Sequence, residues 1–285
     1  MAASADSTVR RRPLAAVTGA SAGIGEAFAR ALAADGHDLI LIARRRRKLE
    51  RLASELADLH RTRTEVLVAD LTSRARLRIV EDKLARSRRL SLLVNNAGLG
   101  DFGEFTTSDR EREDAEIRLN ALAVVRLCHA TLPAMVRRGT GAIINVSSTA
   151  SFAPCPEFAT YGATKAFVNS FTEALHEELR GTGVVVQALC PGLTHTEIFD
   201  HAGVDTSTLP ELLWMEPEKV VAESLAALHG GSVVFVPGLG NRALTSLIRM
   251  LPHAAASRMT SAFGSRFQVR PSRSTARNRK RARPR

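Results

Sequence analysis

The sequence predicts an α/β fold: a single domain built on one doubly wound parallel sheet of about seven strands, with helices on both faces. Two observations support this prediction. Short apolar runs alternate with longer helix-forming runs along most of the chain, and glycine or polar residues follow most of the apolar runs. Repeated βα units of this length imply right-handed crossovers between parallel strands. A chain of 285 residues with 45% hydrophobic content is large enough for a buried core.

Seven apolar runs are predicted to be the strands of this sheet. They cover residues 14–18, 38–43, 65–69, 90–95, 142–146, 184–189 and 232–236. Good helix formers between these runs predict helices that include residues 26–34, 117–137 and 159–180. In such a sheet, ligands bind at the carboxyl edge of the strands, so the residues that follow each strand are the candidates for function.

Two later stretches depart from this rhythm. Residues 193–231 carry apolar side chains after the end of a strand, which predicts a lid over a substrate pocket, with packing into the core as the alternative. Such a lid indicates a lipophilic substrate or an acyl chain. Residues 241–264 form an amphipathic helical extension interrupted by Pro252. Three roles stay open for it: closing the pocket, contacting another subunit, or lying on a membrane surface.

The formal net charge of +11 belongs to the ends of the chain. Three arginines lie at residues 10–12 and eight basic residues lie between 270 and 285, whereas the rest is nearly neutral. The charge predicts a flexible segment over residues 1–12, one domain over 13–267 and a basic disordered tail over 268–285. Such a tail attracts nucleic acid or anionic lipid. A solvated tail without a specific nucleic-acid partner is the interpretation favoured here.

Three cysteines indicate the compartment. Cys128, Cys155 and Cys190 are far apart and form no Cys-x-x-Cys pair, which argues for a reducing compartment without disulfides or structural zinc. The apolar run before Gly19 is too short for a signal-peptide core, and no run reaches about 18 uninterrupted apolar residues. The sequence therefore predicts a cytoplasmic protein without a metal site, and peripheral membrane association stays open.

A glycine-rich turn joins the first predicted strand to the first predicted helix. Gly19, Gly23 and Gly25 lie in this turn. Backbone amides and a helix N-terminus at such a place face a phosphate, and glycine permits its close approach. A glycine cluster alone is a weak signal, but a strand, a glycine turn and a helix in this order indicate a nucleotide site.

The second predicted strand ends at Ala43 and is followed by a run of basic residues. In dinucleotide-binding folds, an acidic residue at this place binds the ribose 2′-hydroxyl, whereas arginine suits a 2′-phosphate. A guanidinium can pair bidentately with phosphate. The run therefore predicts NADP(H) in preference to NAD(H), with Arg44 as the first candidate and Arg45 as the second. Arg46 and Arg47 are interpreted as a solvated helix start.

Tyr161 is the only tyrosine of the chain, and Lys165 follows it one helical turn later. A nearby ammonium favours phenolate, so this pair predicts a pKa for Tyr161 below its ordinary value of about 10. Such a phenol donates and accepts protons near neutral pH. The spacing alone is also typical of an ordinary amphipathic helix, so the interpretation depends on the rest of the chain.

Taken together, these segments resemble the short-chain dehydrogenase/reductase family over about residues 13–240. The matching stretches are TGASAGIG at 18–25, Asp70, NNAG at 95–98, Asn120, Ser147-Ser148, Tyr161-x-x-x-Lys165 and Pro191-Gly192. Three further stretches look like the ketoacyl-reductase-like branch, which includes mycolate-type reductases. They are IARR at 42–45, YGATKAF at 161–167 and VPG at 236–238. The resemblance implies one Rossmann-type catalytic domain that binds a nicotinamide dinucleotide.

The resemblance also implies a catalytic set of four residues. Tyr161 would give its proton to a substrate carbonyl oxygen as hydride arrives from the nicotinamide, and Ser148 would donate a hydrogen bond to the same oxygen. Lys165 would hold the nicotinamide ribose and lower the pKa of Tyr161, and Asn120 would help to position a water. The spacing of thirteen residues to Tyr161 selects Ser148 over its neighbour Ser147.

The cofactor contacts that the resemblance implies are distributed over the carboxyl edge of the sheet. They are Gly19, Ser21, Gly23, Ile24 and Gly25 at the pyrophosphate, Asp70 and Leu71 at the adenine, Asn96, Ala97 and Gly98 at the adenosine ribose, and Pro191, Gly192 and Thr196 beside the nicotinamide, with Tyr161 and Lys165.

The leading prediction is a homo-oligomeric, NADPH-dependent reductase of a small-molecule carbonyl substrate, a lipophilic ketone and above all a 3-oxoacyl chain. A hydroxysteroid or other secondary-alcohol dehydrogenase is the alternative among enzymes. From another class, a non-catalytic dinucleotide-sensing protein would retain the cofactor site without needing the proton relay. In a third interpretation, the basic tail tethers the protein to nucleic acid or to an anionic membrane.

Overall fold

The computed structural model describes residues 12–199, 204–207, 209–264 and 268–269. The strands are β1 (Leu14–Thr18), β2 (Asp38–Ala43), β3 (Thr64–Val68), β4 (Leu90–Asn95), β5 (Gly141–Val146), β6 (Val184–Leu189), β7 (Val204–Asp205), β8 (Val234–Phe235) and β9 (Gln268–Val269). The helices are α1 (Gly23–Ala34), α2 (Arg46–His60), α3 (Arg74–Ala85), α4 (Arg110–Ile117), α5 (Ala123–Arg138), α6 (Ala159–Glu178), α7 (Pro217–His229), α8 (Leu239–Met250) and α9 (His253–Gly264).

A seven-stranded sheet in the order β3-β2-β1-β4-β5-β6-β8 forms the centre of the described fold. Every pair of neighbouring strands in it is parallel. The strand order reverses beside β1, which lies between β2 and β4, and this reversal opens a crevice at the carboxyl edge. The predicted doubly wound sheet is confirmed.

Apolar clusters cover both faces of the sheet. Alternate residues of β1 belong to different clusters, with Val17 on one face and Ala16 on the other, as the two-residue period of a strand requires. Helices α1, α2 and α7 supply the first cluster, and α3, α5 and α6 supply the second. A sheet buried on both faces explains why its strands are continuously apolar in the sequence.

The long helix before β5 begins earlier than predicted. The structure starts α4 at Arg110, because the side chain of Asp109 accepts a hydrogen bond from the backbone N–H of Glu111 and caps the helix. A π-helical turn over 118–122 joins α4 to α5. Among the described residues, this combined helix is the one long and apolar enough to span a membrane. That finding is weak evidence, since its residues Leu127 and Met135 are buried against the sheet.

Residues 193–231 divide into two parts in the structure. The second part contains α7, and its Val220 and Val221 are fully buried against α1. The first part packs beside Tyr161, and whether it acts as a lid stays a prediction. Strand β9 pairs with β7 in antiparallel fashion, although the sequence assigns it to the tail. The rest of that tail and residues 1–11 lie outside the described residues.

Candidate active site

The glycine-rich turn fits closely against the end of β4. Gly19 has a φ of +68°, and a Cβ added there would lie 2.7 Å from Asn96 Nδ2. A Cβ added to Gly25 would lie 2.4 Å from the carbonyl oxygen of Gly19. Only glycine fits both positions without displacing the backbone. The turn therefore brings main chain, rather than side chains, to the crevice.

The first turn of α1 presents its amides without a side-chain cap. Ala22 precedes this helix in an extended conformation and makes no capping hydrogen bond through its side chain. The N–H groups at the start of a helix lack intrahelical partners and carry partial positive charge. Gly23, Ile24 and Gly25 therefore fit the diphosphate of a dinucleotide.

A hydrogen-bond network joins β1 to β4 beneath the turn. The hydroxyl of Thr18 accepts hydrogen bonds from the backbone N–H groups of Asn96 and Ala97, at 2.9 and 3.0 Å. The side-chain amide of Asn96 donates to the carbonyl oxygen of Thr18 at 3.0 Å. Thr18 is buried, and it holds the segment that the sequence assigns to the adenosine ribose.

The two candidate arginines differ in their surroundings. Arg45 donates from Nε to the hydroxyl of Ser21 at 3.0 Å and from Nη2 to the carbonyl oxygen of Ser21 at 3.2 Å. Arg44 lies exposed beside it. The structure thus attaches Arg45, which the sequence placed second, to the glycine-rich turn.

The predicted adenine and nicotinamide contacts lie at the carboxyl edge as well. Asp70 accepts hydrogen bonds from the N–H and the hydroxyl of Thr72 at 3.0 and 2.7 Å, and Leu71 is buried. The carbonyl oxygen of Pro191 accepts from the N–H of Thr149 at 2.9 Å. Thr196 lies against the glycine-rich turn, since a Cβ added to Gly23 would lie 2.8 Å from Thr196 Cγ2. A Cβ added to Gly192 would lie 2.6 Å from the side chain of Asn241.

The two adjacent serines after β5 have different partners. Ser147 is buried and donates to the carbonyl oxygen of Lys165 at 2.9 Å, so its hydroxyl holds α6 in place. Ser148 accepts from the N–H of Ala150 at 3.1 Å, and its hydroxyl interacts with the Tyr161 phenol in the sense that lowers the pKa of that phenol. Of the two hydroxyls, that of Ser148 is therefore the one beside the phenol.

The predicted lowering of the Tyr161 pKa is wrong for this structure. Burial raises the pKa of Tyr161 to about 12, and the hydrogen bond with Ser148 offsets this only in part. Burial also lowers the pKa of Lys165 to about 8. Lys165 Nζ lies 5.5 Å from the centre of the Tyr161 ring and donates to the carbonyl oxygen of Val146 at 2.9 Å. Desolvation outweighs the charge of Glu116 at Lys165, whereas at Tyr161 the charge of Glu116 raises the pKa further.

Asn120 uses its whole side chain to hold the loop after β4. Its Oδ1 accepts from the N–H of Leu99 at 2.9 Å, and its Nδ2 donates to the carbonyl oxygen of Leu99 at 2.8 Å and to Thr164 Oγ1 at 3.2 Å. A Cβ added to Gly98 would lie 3.4 Å from Asn120 Oδ1 and 3.6 Å from Lys165 Nζ. Asn120 and Lys165 therefore meet at this glycine. The water-positioning role stays a prediction.

Glu116 is a buried acid that sequence reasoning missed. It is 1% exposed, and its Oε2 accepts from the N–H of Asp101 at 3.2 Å, whereas its Oε1 has no hydrogen-bond partner among the described residues. Burial raises its pKa to about 8, and the charge of Lys165 acts in the opposite direction. A sequence signal existed, because Glu116 lies one helical turn before Asn120 on the same face.

An aromatic cluster surrounds the ring of Tyr161. Phe102 lies with its ring centre 6.0 Å from that of Tyr161, and it also contacts Phe158 at 4.5 Å and Phe199 at 5.9 Å. Trp214 meets Phe199 edge to face at 5.4 Å. The other members of this cluster are Cys155, Leu193, Val204 and Leu209. The cluster is an apolar wall beside the phenol, made by the loop after β4, by the segment between β5 and α6, and by described residues between 193 and 214.

A second missed residue is Glu197, which forms ion pairs with Arg45 and Lys48. The sequence contained a signal for it: Glu197 is an acid directly after Thr196, and it follows a strand whose carboxyl end lies at the same sheet edge as the basic run 44–48. No group of three metal-ligating side chains occurs in the part of the chain that the structure describes. The described site therefore consists of the glycine-rich turn, the side chains of Ser148, Tyr161 and Lys165, and the apolar wall.

Comparison with known proteins agrees with this fold. The chain belongs to the short-chain dehydrogenase family, since the model described as short chain dehydrogenase matches residues 13–206. It resembles a short-chain dehydrogenase from Sphingobium yanoikuyae, solved in complex with NADPH, at 39% identity and a TM-score of 0.77, covering 85% of this chain and 97% of that one.

Two curated relatives have names that bear on activity. The bovine very-long-chain 3-oxoacyl-CoA reductase is 35% identical over 191 residues, and this match covers 65% of the chain and 60% of the bovine protein. The human inactive hydroxysteroid dehydrogenase-like protein 1 is 35% identical over 219 residues, covering 76% of the chain and 65% of the human protein. The chain thus spans less than two thirds of the length of either relative.

Proposed function

We propose that the protein reduces a bulky, lipophilic ketone to a secondary alcohol with NADPH, and that a 3-oxoacyl thioester is the leading substrate. The observation that carries this proposal is the position of Tyr161, whose phenol interacts with the Ser148 hydroxyl and whose ring lies in the apolar cluster. A ketone lying against this cluster would bring its carbonyl oxygen to two hydroxyl donors. Donors aimed at a developing alkoxide in a dry site are the main source of stabilisation in such a reaction.

The protonation state of Tyr161 favours the reducing direction. With its pKa raised to about 12 by burial, the phenol is protonated at neutral pH and can donate to the oxygen of a ketone. Ser148 would donate a second hydrogen bond to that oxygen. When bound, the nicotinamide would supply the hydride. Lys165, held by the carbonyl oxygen of Val146, would bind the ribose hydroxyls and supply a positive charge near the phenol.

The preference for NADPH over NADH rests on Arg45 and Arg44. Arg45 contacts Ser21 at the glycine-rich turn, and Arg44 follows β2 directly. No acidic side chain stands at the end of β2 to bind a free 2′-hydroxyl. The NADPH bound by the Sphingobium relative supports the same choice.

The substrate class rests on the apolar wall and on one relative. The wall offers four aromatic rings around Tyr161. The name of the bovine relative specifies a 3-oxoacyl-CoA. A panel of small ketones, hydroxysteroid ketones and 3-oxoacyl thioesters, assayed by NADPH consumption, tests the class. We expect the highest kcat/KM for the 3-oxoacyl thioesters, and a preference for the steroids would support the hydroxysteroid alternative.

The chemical role of Tyr161 is tested by Tyr161→Phe, which removes one oxygen and keeps the ring in the cluster. We expect ketone reduction to fall by roughly 10²–10⁴-fold, the usual contribution of a positioned acid. NADPH binding, followed by fluorescence, should change less than about twofold, because the phenol is not needed to hold the diphosphate. Turnover near the wild-type rate would refute the assignment.

A dinucleotide-binding protein without turnover is the second candidate, because one relative is named inactive. The two functions differ in a single measurement: NADPH binding with no oxidation on any ketone of the panel would favour the binding protein. We retain the expectations of a homo-oligomer and of a cytoplasmic location. Peripheral membrane contact also stays an expectation, because the side chains of Leu244, Leu247 and Met250 on α8 are exposed.

A further inference from the structure

Glu197 lies between two cations of the proposed coenzyme site. Its Oε2 is 2.5 Å from Arg45 Nη1, and its Oε1 is 2.7 Å from Lys48 Nζ. The same guanidinium is bonded through Nε to the hydroxyl of Ser21 in the glycine-rich turn. One carboxylate is thus held by both a guanidinium and an ammonium at the end of the cleft where the 2′-phosphate is expected.

The chemistry of this contact resembles that of a phosphate site. A guanidinium binds carboxylate and phosphate through the same geometry, and an ammonium adds a point charge. The hydrogen bonds from Lys48 and Arg45 lower the pKa of Glu197, so its carboxylate is charged at neutral pH. All three side chains are about two-fifths exposed, so a ligand can reach them from solvent.

Glu197 belongs to the loop that follows β6, not to the elements that supply the cations. Its neighbour Thr196 lies against the glycine turn, and Phe199 two residues later belongs to the aromatic cluster. The ion pairs therefore connect the start of α2 with the segment that borders the apolar wall.

We propose that Glu197 is a specificity-determining residue that competes with the 2′-phosphate of the coenzyme for Arg45 and Lys48. The inference rests on the proposed function, since it assumes that Arg45 binds that phosphate. A coenzyme with a 2′-phosphate must displace a carboxylate and bring a second negative group to the same cations. A coenzyme without it leaves both ion pairs intact, so Glu197 reduces the margin by which NADPH is preferred over NADH.

The test compares dissociation constants for NADPH, NADH and 2′,5′-ADP, measured by fluorescence and calorimetric titration without turnover. Glu197→Gln keeps the shape of the side chain and removes its charge. Because exposed ion pairs are individually weak, we expect NADPH and 2′,5′-ADP to bind about three- to tenfold more tightly to this variant. NADH affinity should change by less than about twofold, since NADH does not compete for the cations.

The matched control is Glu211→Gln. Glu211 is an exposed acid of the same region, but its partner is His195, at 2.9 Å, rather than Arg45. This control should leave all three dissociation constants unchanged. An equal gain in NADPH affinity for both variants would mean a general charge effect and would overturn the proposal, as would unchanged or weaker NADPH binding by Glu197→Gln.

Arg45→Gln separates this inference from the proposed function. If Arg45→Gln weakens NADPH much more than NADH while Glu197→Gln changes nothing, the competition is refuted and the coenzyme preference stands. If Arg45→Gln weakens both coenzymes equally, the 2′-phosphate role of Arg45 is refuted together with the inference. In the double variant, the gain from Glu197→Gln should shrink, because one of its two cations is gone.

Discussion

At the scale of single residues, three side chains on one face of α4 and the π-helical turn hold the loop after β4 through an ion pair and hydrogen bonds. Arg112 Nη1 contacts Asp101 Oδ1 at 3.0 Å, Glu116 accepts from the N–H of Asp101, and Asn120 pairs with both backbone groups of Leu99. These three side chains follow one another at intervals of four residues, so they share one helix face. The loop they hold carries Phe102 to the ring of Tyr161. Glu116 therefore stabilises the loop that carries Phe102 of the apolar wall.

The burial of Glu116 predicts that the free energy of unfolding decreases as the pH rises. Its pKa is raised from 4.5 to about 8, so between these pH values the folded protein keeps a proton that the unfolded chain has released. Its contribution to the free energy of unfolding therefore falls as the pH rises through this window. The loss between pH 5 and pH 8 should be on the order of 3 kcal/mol, and urea unfolding at the two pH values measures it.

Glu116→Gln tests the source of this dependence. The amide has no charge to bury, so the variant should lose less stability than the wild type between pH 5 and pH 8. Glu111→Gln, on the exposed face of the same helix, is the control and should keep the wild-type slope. A wild-type slope in Glu116→Gln would show that another group carries the dependence.

At the scale of elements, the junction of β1 and α1 has no room for side chains. A Cβ on Gly25 would lie 2.4 Å from both the Gly19 carbonyl oxygen and Asn96 Nδ2. Gly25→Ala must therefore move α1 away from β1 or break the network through Asn96. We expect a loss of about 1–3 kcal/mol in the free energy of unfolding, as for other overpacked sites. NADPH affinity should fall as well.

Gly240→Ala is the matched control for that variant. It is also a glycine in the first turn of a helix, α8, but a Cβ there would meet nothing within 4 Å. Chemical denaturation of both variants gives the comparison. A Gly25→Ala protein as stable as Gly240→Ala would contradict the close approach of β1, α1 and Asn96.

At the scale of the whole molecule, the C-terminal strand β9 is joined to the apolar wall through β7. Strand β9 pairs with β7, and Val204 of β7 is 7% exposed within the cluster around Tyr161. Truncation after Val269 removes the eight basic residues beyond it and keeps β9, whereas truncation after Phe267 removes both. Comparing the two truncations separates the charge of the tail from the packing of the strand.

We expect truncation after Val269 to leave ketone reduction and localisation unchanged, as a solvated tail implies. Truncation after Phe267 should raise KM for a bulky ketone several-fold without changing NADPH affinity, because β7 loses its partner strand beside the wall. Kinetics with one bulky and one small ketone measure this. A changed localisation after truncation at Val269 would support the basic tail as a tether to nucleic acid or to an anionic membrane. Identical kinetics for both truncations would contradict the role of β9.

Much of the fold follows from local patterns in the sequence. The seven strands of the parallel sheet end within one or two residues of their predicted positions, because apolar runs bounded by glycine and polar residues report burial on both faces. The start of α4 was missed because the segment REREDAE has no apolar periodicity, and its helix depends on the Asp109 cap. The division of residues 193–231 was also missed, since apolar residues of a loop and of a core helix look alike in sequence.

The sequence by itself determined the order of the βα units, the glycine turn and the Ser–Tyr–Lys spacing, because each depends on residues close together in the chain. Only the tertiary structure decided which groups lose contact with water and which distant side chains meet. It reversed the expected shift of the Tyr161 pKa, and it brought Glu116 under the loop after β4 and Glu197 to Arg45. Desolvation and ion pairing depend on every element packed around a group, so no local pattern contains them.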